Sequence, residues 1–193
     1  IDVIERNFYN LTPLGEELEG QEGFVRWCND RNLDVDSMQK QYVNILNKYY
    51  PNDFASPIDF TNKLKHSLKD FSLQKVWAVD YYNFEIFGKT KLGNQVMIAK
   101  QTADEVTVAT LIKRIAEAFL AIESRVKIDA VALVSPTIQR QQQLMSRLDN
   151  AIDQTVPRVK IYKVGARILI AQKTLKYLKD RILNAEQTFV VES

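Results

Sequence analysis

Residues 128–134 read Ile128-Asp129-Ala130-Val131-Ala132-Leu133-Val134, followed at once by Ser135, Pro136 and Thr137. The run has strand length and lacks polar alternation, as expected of a strand covered on both faces. Ser135 and Pro136 break it, and Thr137 is placed to cap a helix carrying Leu144, Leu148 and Ile152. On the N-terminal side, Thr102 and Glu105 match a capping box. They open a helix with Val108, Ile112, Ile115, Phe119, Ile122 and Val126 on one face. On the C-terminal side, Val159–Val164 reads as a strand and Gly165 as a turn. A helix is predicted from Thr174 with Leu175, Leu178 and Ile182 inside, and Thr188–Val191 as a last strand. With the β-branched and aromatic run Val76–Val79 and Asp80–Tyr82 in front, strands and helices alternate. The predicted fold is α/β: a helical N-terminal region followed by a mostly parallel sheet flanked by helices.

The N-terminal region, residues 1–73, is read as helical. Phe24, Val25, Trp27 and Cys28 make a short apolar stripe. Asp36 and Gln39 resemble a capping box ahead of Met38, Tyr42, Ile45, Leu46 and Tyr49, and Pro51 ends that helix. Ser56, Pro57 and Asp59 are read as the start of a third helix placing Phe60, Leu64, Leu68 and Phe71 on one side. Residues 74–193 form the predicted α/β domain, the change near Leu73 being one of pattern with no linker.

Basic residues number 26 and acidic residues 24, for a formal charge of +2, so binding to nucleic acid or membrane requires a local patch. A chain of 193 residues buries roughly 70% of its unfolded surface without a staple. One cysteine excludes an internal disulfide, and no zinc-ligand spacing occurs. No apolar run reaches membrane-spanning length and no basic start precedes an apolar core, so no membrane association and a cytoplasmic location are expected.

In parallel sheets, ligands bind beyond the carboxyl ends of strands, where helix N-termini offer free N–H groups. Ser135, Pro136 and Thr137, with Arg140 one turn on, fit a pyrophosphate; simple capping by Thr137 is the plain alternative. Lys173 and Thr174 lead a basic helix bearing Lys176, Lys179, Arg181 and Asn184, a second candidate anion contact or a solvated face. Arg181 and Asn184 share a helix face and are placed to brace a loop. Asp80, Tyr81, Tyr82 and Glu85 stand at a strand end. With Lys89, Lys91 and Lys100 around Gly88–Gly93, the two tyrosines form a weak nucleic-acid patch. His66 has no Ser or Cys partner nearby, and Cys28 beside Trp27 reads as packing.

The stretch IDAVALVSPTIQR (Ile128–Arg140) with QQQLMSRLDNAI resembles the strand, proline-containing loop and helix of ComF-type phosphoribosyltransferases. AQKTLKYLKDRILNAEQTFVV is similar to that family's later motif, here carried by Gln172, Leu175, Arg181, Asn184 and Phe189. The resemblance covers about residues 125–191. It implies a type I phosphoribosyltransferase fold acting on 5-phosphoribosyl-1-pyrophosphate with magnesium, the acceptor unknown. Ser135, Pro136, Thr137 and Arg140 would lie on the pyrophosphate side, and Arg167, Gln172, Lys173 and Thr174 in a closing loop. Arg181 and Asn184 would be structural members of the motif. The family's acidic pair and Thr-Gly-Thr loop would follow a further strand, so the sheet is expected to be incomplete at Ser193. The cysteine-rich zinc-binding start of ComF itself is absent. The alternative reading is a non-catalytic module of that fold engaging a protein or nucleic-acid partner through its helical region, as in DNA uptake or a bacterial defence assembly.

Overall fold

The structure is a computed structural model that describes residues 3–51, 54, 56–67, 71–102, 104–134, 144–152, 155–164, 170 and 174–192. The chain divides into two compact units, Ile1–Thr107 and Val108–Ser193.

In the first unit, α1 (Val3–Asn7) leads into an antiparallel ladder of β1 (Tyr9–Leu11) and β2 (Glu17–Glu19), with Tyr9 opposite Glu19 and Leu11 opposite Glu17. Then come α2 (Gly20–Asn29) and α3 (Val35–Tyr49). Ile4, Phe8, Phe24, Trp27, Tyr42 and Leu46 are buried together with Phe84 and Phe87. Tyr42 lies wholly inside because its hydroxyl donates to the Asn7 carbonyl at 2.9 Å, and burial pushes its phenol above the usual range. The stripe residues Trp27 and Cys28 are therefore core.

Two predicted helix starts within residues 1–73 are displaced. Asp34, two residues before the predicted Asp36, caps α3 by accepting from the Ser37 amide at 2.8 Å. Ser56 and Pro57 do not open a helix. The chain continues extended through β3 (Ile58–Asp59), which pairs antiparallel with β4 (Trp77–Ala78), and α4 begins only at Thr61 and ends at Ser67. The reason is local. Thr61 accepts the Val76 amide through its hydroxyl at 2.9 Å, and its own amide donates to the Asp59 carboxylate at 2.8 Å, fixing the strand-to-helix turn.

Asp59 also meets Lys75 Nζ at 2.9 Å, and the Thr61 and Lys75 hydrogen bonds hold its carboxyl down at about 2 against an ordinary 3.8. A depressed folded-state value contributes stability above pH 3.8 that is lost as the pH falls through about 2. Asp59→Asn is therefore expected to flatten the acid limb between pH 4 and 2 in a plot of thermal midpoint against pH, relative to wild type. An unchanged acid limb counts against this role.

After β4, a hairpin of β5 (Asn83–Phe84) and β6 (Gly88–Lys89) encloses a 3₁₀ turn at Glu85–Phe87. Thr90 then caps α5 (Lys91–Gln101), so the expected Gly88–Gly93 loop is half helix. Thr90 Oγ1 accepts from the Gly93 amide at 3.0 Å and donates to the Tyr81 carbonyl.

The unit division falls inside α6 (Glu105–Glu123), the helix whose period was clearest. Its cap is Asp104, accepting from the Thr107 amide at 2.8 Å, and Thr102 instead belongs to the end of α5. In the second unit, Val131, Leu148, Ile152 and Val156 are buried around α7 (Leu144–Ala151), with Ile115 and Phe119 of α6 partly buried against them. Two strands follow, β7 (Ile161–Lys163) and β8 (Phe189–Val191). They pair antiparallel on either side of α8 (Leu178–Thr188), with Ile161 opposite Val191.

The mostly parallel sheet flanked by helices is not formed. The described residues are mainly helical, and their ladders are short, two-stranded and antiparallel. The single parallel pairing among them is a bridge between Val131 and Arg158, made by the Val131 amide on the Pro157 carbonyl (2.8 Å) and the Val159 amide on the Val131 carbonyl (2.9 Å). The cause lies in the run that suggested the sheet. Ile128, Val131 and Leu133 turn to the core, while Ala130, Ala132 and Val134 stay exposed, so only one face is covered. Alanines add little apolar area to hold a second layer. The Val76–Tyr82 run pairs with Ile58–Asp59 instead of with residues 128–134. The helix predicted from Thr174 starts at Leu178, and Leu178 and Ile182, expected inside, are exposed.

Candidate functional site

The bridge at Val131 sets two extended segments side by side with α7 between them in sequence. Beyond the bridge both segments run forward, 131–134 and 158–162, and the space between them and α7 is a cleft of about 250 Å³. Val131, Leu133 and Met145 give it an apolar floor, and Ser146, Asp149, Arg158, Lys160 and Tyr162 supply the polar groups.

Arg158 organises the cleft and is itself engaged. Its Nε donates to Asp149 Oδ1 at 2.6 Å, and its Nη atoms reach the carbonyls of Val156, Asp149 and Ile152. Asp149 and Ile152 stand at the C-terminal end of α7, where a cation is favoured by the helix dipole. Arg158 thus ties α7 to the strand segment and positions the wall; its charge is taken up by Asp149. Arg158→Ala is expected to weaken the bridge by about 1–2 kcal/mol. The readout is hydrogen exchange of the Val131 and Val159 amides, expected to speed up about tenfold; unchanged exchange would count against this role.

Lys160 offers the exposed cation of the cleft. Its ammonium stands 3.8 Å from Glu192, an exposed and water-screened pair. Tyr162 donates its hydroxyl to Glu192 at 3.0 Å, which raises its pKa. Ser146 is a further polar residue of the lining.

The predicted Ser135, Pro136, Thr137 and Arg140 lie outside the described residues, as do Arg167, Gln172 and Lys173. Thr174 is described and exposed, four residues before α8. Arg181 donates from Nε to the Leu175 carbonyl at 2.8 Å, and Asn184 Oδ1 accepts from Lys163 Nζ at 3.4 Å. The same ammonium approaches the Ile170 carbonyl at 3.5 Å.

In the first unit, Asp80 accepts from the Tyr50 hydroxyl and from the Tyr81 amide, and Glu85 pairs with Lys48 at 2.7 Å. Lys91 pairs with Glu19 at 2.5 Å and lies 5.5 Å from the Tyr9 ring centroid, so its charge is already balanced. His66 Nδ1 contacts the Asn62 carbonyl of its own helix at 2.6 Å. Cys28 is buried, which pushes its thiol up and away from reactivity.

Asp149, Ser146, Arg158, Lys160 and Tyr162 escaped the sequence reading. The available signal was Arg158 and Lys160 inside the otherwise apolar VPRVKIY run. Among the described residues no group of three acidic, His or Cys side chains stands together, and no helix is long and apolar enough to cross a membrane. Comparison with protein-family models, with curated proteins and with solved structures finds no match to this chain.

Proposed function

We propose that the chain is a phosphoribosyltransferase-like protein that takes 5-phosphoribosyl-1-pyrophosphate in the cleft between residues 131–134 and 158–162, acting in the cytoplasm. The observation that carries this reading is the lining of the cleft, which sets the polar residues Ser146, Lys160 and Tyr162 against the apolar Val131, Leu133 and Met145. The IDAVALVSPTIQR and Arg181/Asn184 resemblances support the choice of ligand. Lys160 supplies a cation for a phosphate, Ser146 a hydroxyl donor, and Val131 and Leu133 a dry floor against the ribose.

The described residues do not themselves build a magnesium site. Among the described residues Asp149 is the only carboxylate lining the cleft, and Arg158 holds it. Magnesium ordinarily needs free carboxylate or phosphate oxygens. No step is therefore assigned to the metal. What these residues do is bind the donor's phosphates and exclude water from one side of the ribose.

The test is isothermal titration of the full chain with 5-phosphoribosyl-1-pyrophosphate, with and without magnesium chloride, alongside ribose 5-phosphate. Saturable binding of the donor, weakened about tenfold by Lys160→Glu, is the expected result. Donor binding that is untouched by Lys160→Glu removes the cleft from the reading. Absence of any heat from the donor removes the donor and leaves a module that engages a macromolecular partner.

A further inference from the structure

We propose that Tyr49, Phe60 and Tyr81 form a cation cage for a trimethylammonium group, plugged in this structure by the side chain of Lys63. The proposal stands apart from the cleft and from the reading of its ligand. Tyr49 ends α3, Phe60 precedes α4 and Tyr81 follows β4, so three separate segments bring one ring each. The Tyr49 and Tyr81 rings meet nearly at right angles, 86° with centroids 4.5 Å apart, and Phe60 lies 5.1 Å from Tyr81 at 54°. Steeply inclined walls make a corner that presents more than one π-face to a single point.

The ammonium of Lys63 occupies that point. Its Nζ is 5.6 Å from the Tyr49 centroid, 5.2 Å from Phe60 and 5.3 Å from Tyr81. Lys63 is exposed, and among the described residues its ammonium meets no carboxylate, so the rings hold it. Lys48, the other cation near Tyr49, is tied to Glu85 at 2.7 Å. Asp80 accepts from the Tyr50 hydroxyl and from the Tyr81 amide, which puts negative charge beside the cage.

The distances select the ligand. A carbon touches a ring at about 3.5–4.0 Å. A nitrogen behind a methyl carbon stands roughly 1.5 Å farther, as in an N–C single bond. A trimethylammonium nitrogen therefore belongs about 5 Å from each face. The observed 5.2–5.6 Å from the Lys63 nitrogen to the three ring centroids is close to that separation. A quaternary group matches it, and being more weakly hydrated than a primary ammonium it loses less on entering. Because Lys63 is an exposed, flexible side chain, displacing it costs little.

The probe is choline, titrated into the full chain while the aromatic proton shifts of the tyrosines are followed, in wild type and in Lys63→Ala. Saturable shifts of Tyr49 and Tyr81 are expected, with choline bound about threefold or more tighter by Lys63→Ala. The neutral isostere 3,3-dimethylbutan-1-ol is expected to bind at least about threefold more weakly than choline. An acetylated trimethyllysine amide run in parallel distinguishes a methylated protein from a small solute: tighter binding than choline assigns the former, equal or weaker binding the latter. Tyr81→Leu, which keeps apolar bulk and removes a face, is expected to abolish the shift. Equal binding of choline and its isostere overturns the cage, as does equal binding of choline by wild type and Lys63→Ala, or no saturable shift in Lys63→Ala. The Lys63 variant decides the matter even if Tyr81→Leu does not fold.

Discussion

Replacing Phe24 by Ala is expected to cost the first unit about 3–5 kcal/mol. Phe24 has no exposed surface and lies at the centre of an aromatic cluster. Its ring meets Phe8 edge-on at 5.0 Å and 85°, and it packs at 5.8 Å on Tyr42, 6.2 Å on Trp27 and 6.3 Å on Phe87. Truncation removes apolar burial and leaves a cavity that rings cannot fill by collapsing, since each is also held by the others. Domains are stable by about 5–15 kcal/mol, so a fifth or more of that margin goes. Trp27 and Trp77 both fall within residues 1–107, so tryptophan fluorescence during urea unfolding reports on this unit. A loss under about 1 kcal/mol would mean that Phe24 is not at the centre of the core.

Gly93→Ala is the second large effect, and its sign runs against intrinsic helix preference. In an open helix the change to Ala gains about 1 kcal/mol. Here a Cβ on Gly93 would stand 2.1 Å from the Tyr82 carbonyl oxygen and 3.1 Å from its carbon. That oxygen is main chain and accepts the Thr90 amide at 3.1 Å, so it cannot swing aside as a side chain would. The Gly93 amide is itself fixed by the Thr90 cap. The clash dismantles the join between the β5–β6 hairpin and α5, and a net loss of about 2–3 kcal/mol is expected in the same urea experiment. A gain in stability would show that the hairpin does not press on the helix.

Helical segments were legible wherever apolar residues recur on one face. Tyr42, Ile45 and Leu46 in α3 and Val108 and Ile112 in α6 are buried at the expected spacing. Their starts were less legible because several side chains near each start can cap, and the spacing does not say which one does. Asp34 and Asp104 do so ahead of Asp36 and behind Thr102. Helix α5 went unread because Gly93 looks like loop punctuation, whereas it is there to let a carbonyl approach.

The sheet was misread for a different reason. An apolar run such as IDAVALV reports that it is inside on at least one face, but strand order depends on contacts distant in sequence. What survives of the alternation is the Val131–Arg158 bridge, and the cleft depends on it. Arg158 was hidden because a lone cation between Pro157 and Val159 looks solvated. Its value comes from carbonyls at the end of α7 that only the fold brings to it.

We propose that the cleft beyond that bridge receives the phosphorylated ribose donor. The change in backbone amide shifts of the full chain on adding 5-phosphoribosyl-1-pyrophosphate, with ribose 5-phosphate as comparison, tests this. Saturable changes centred on residues 131–134, Ser146 and 158–162 are the expected result. Changes centred elsewhere, or none at saturating donor, would contradict it.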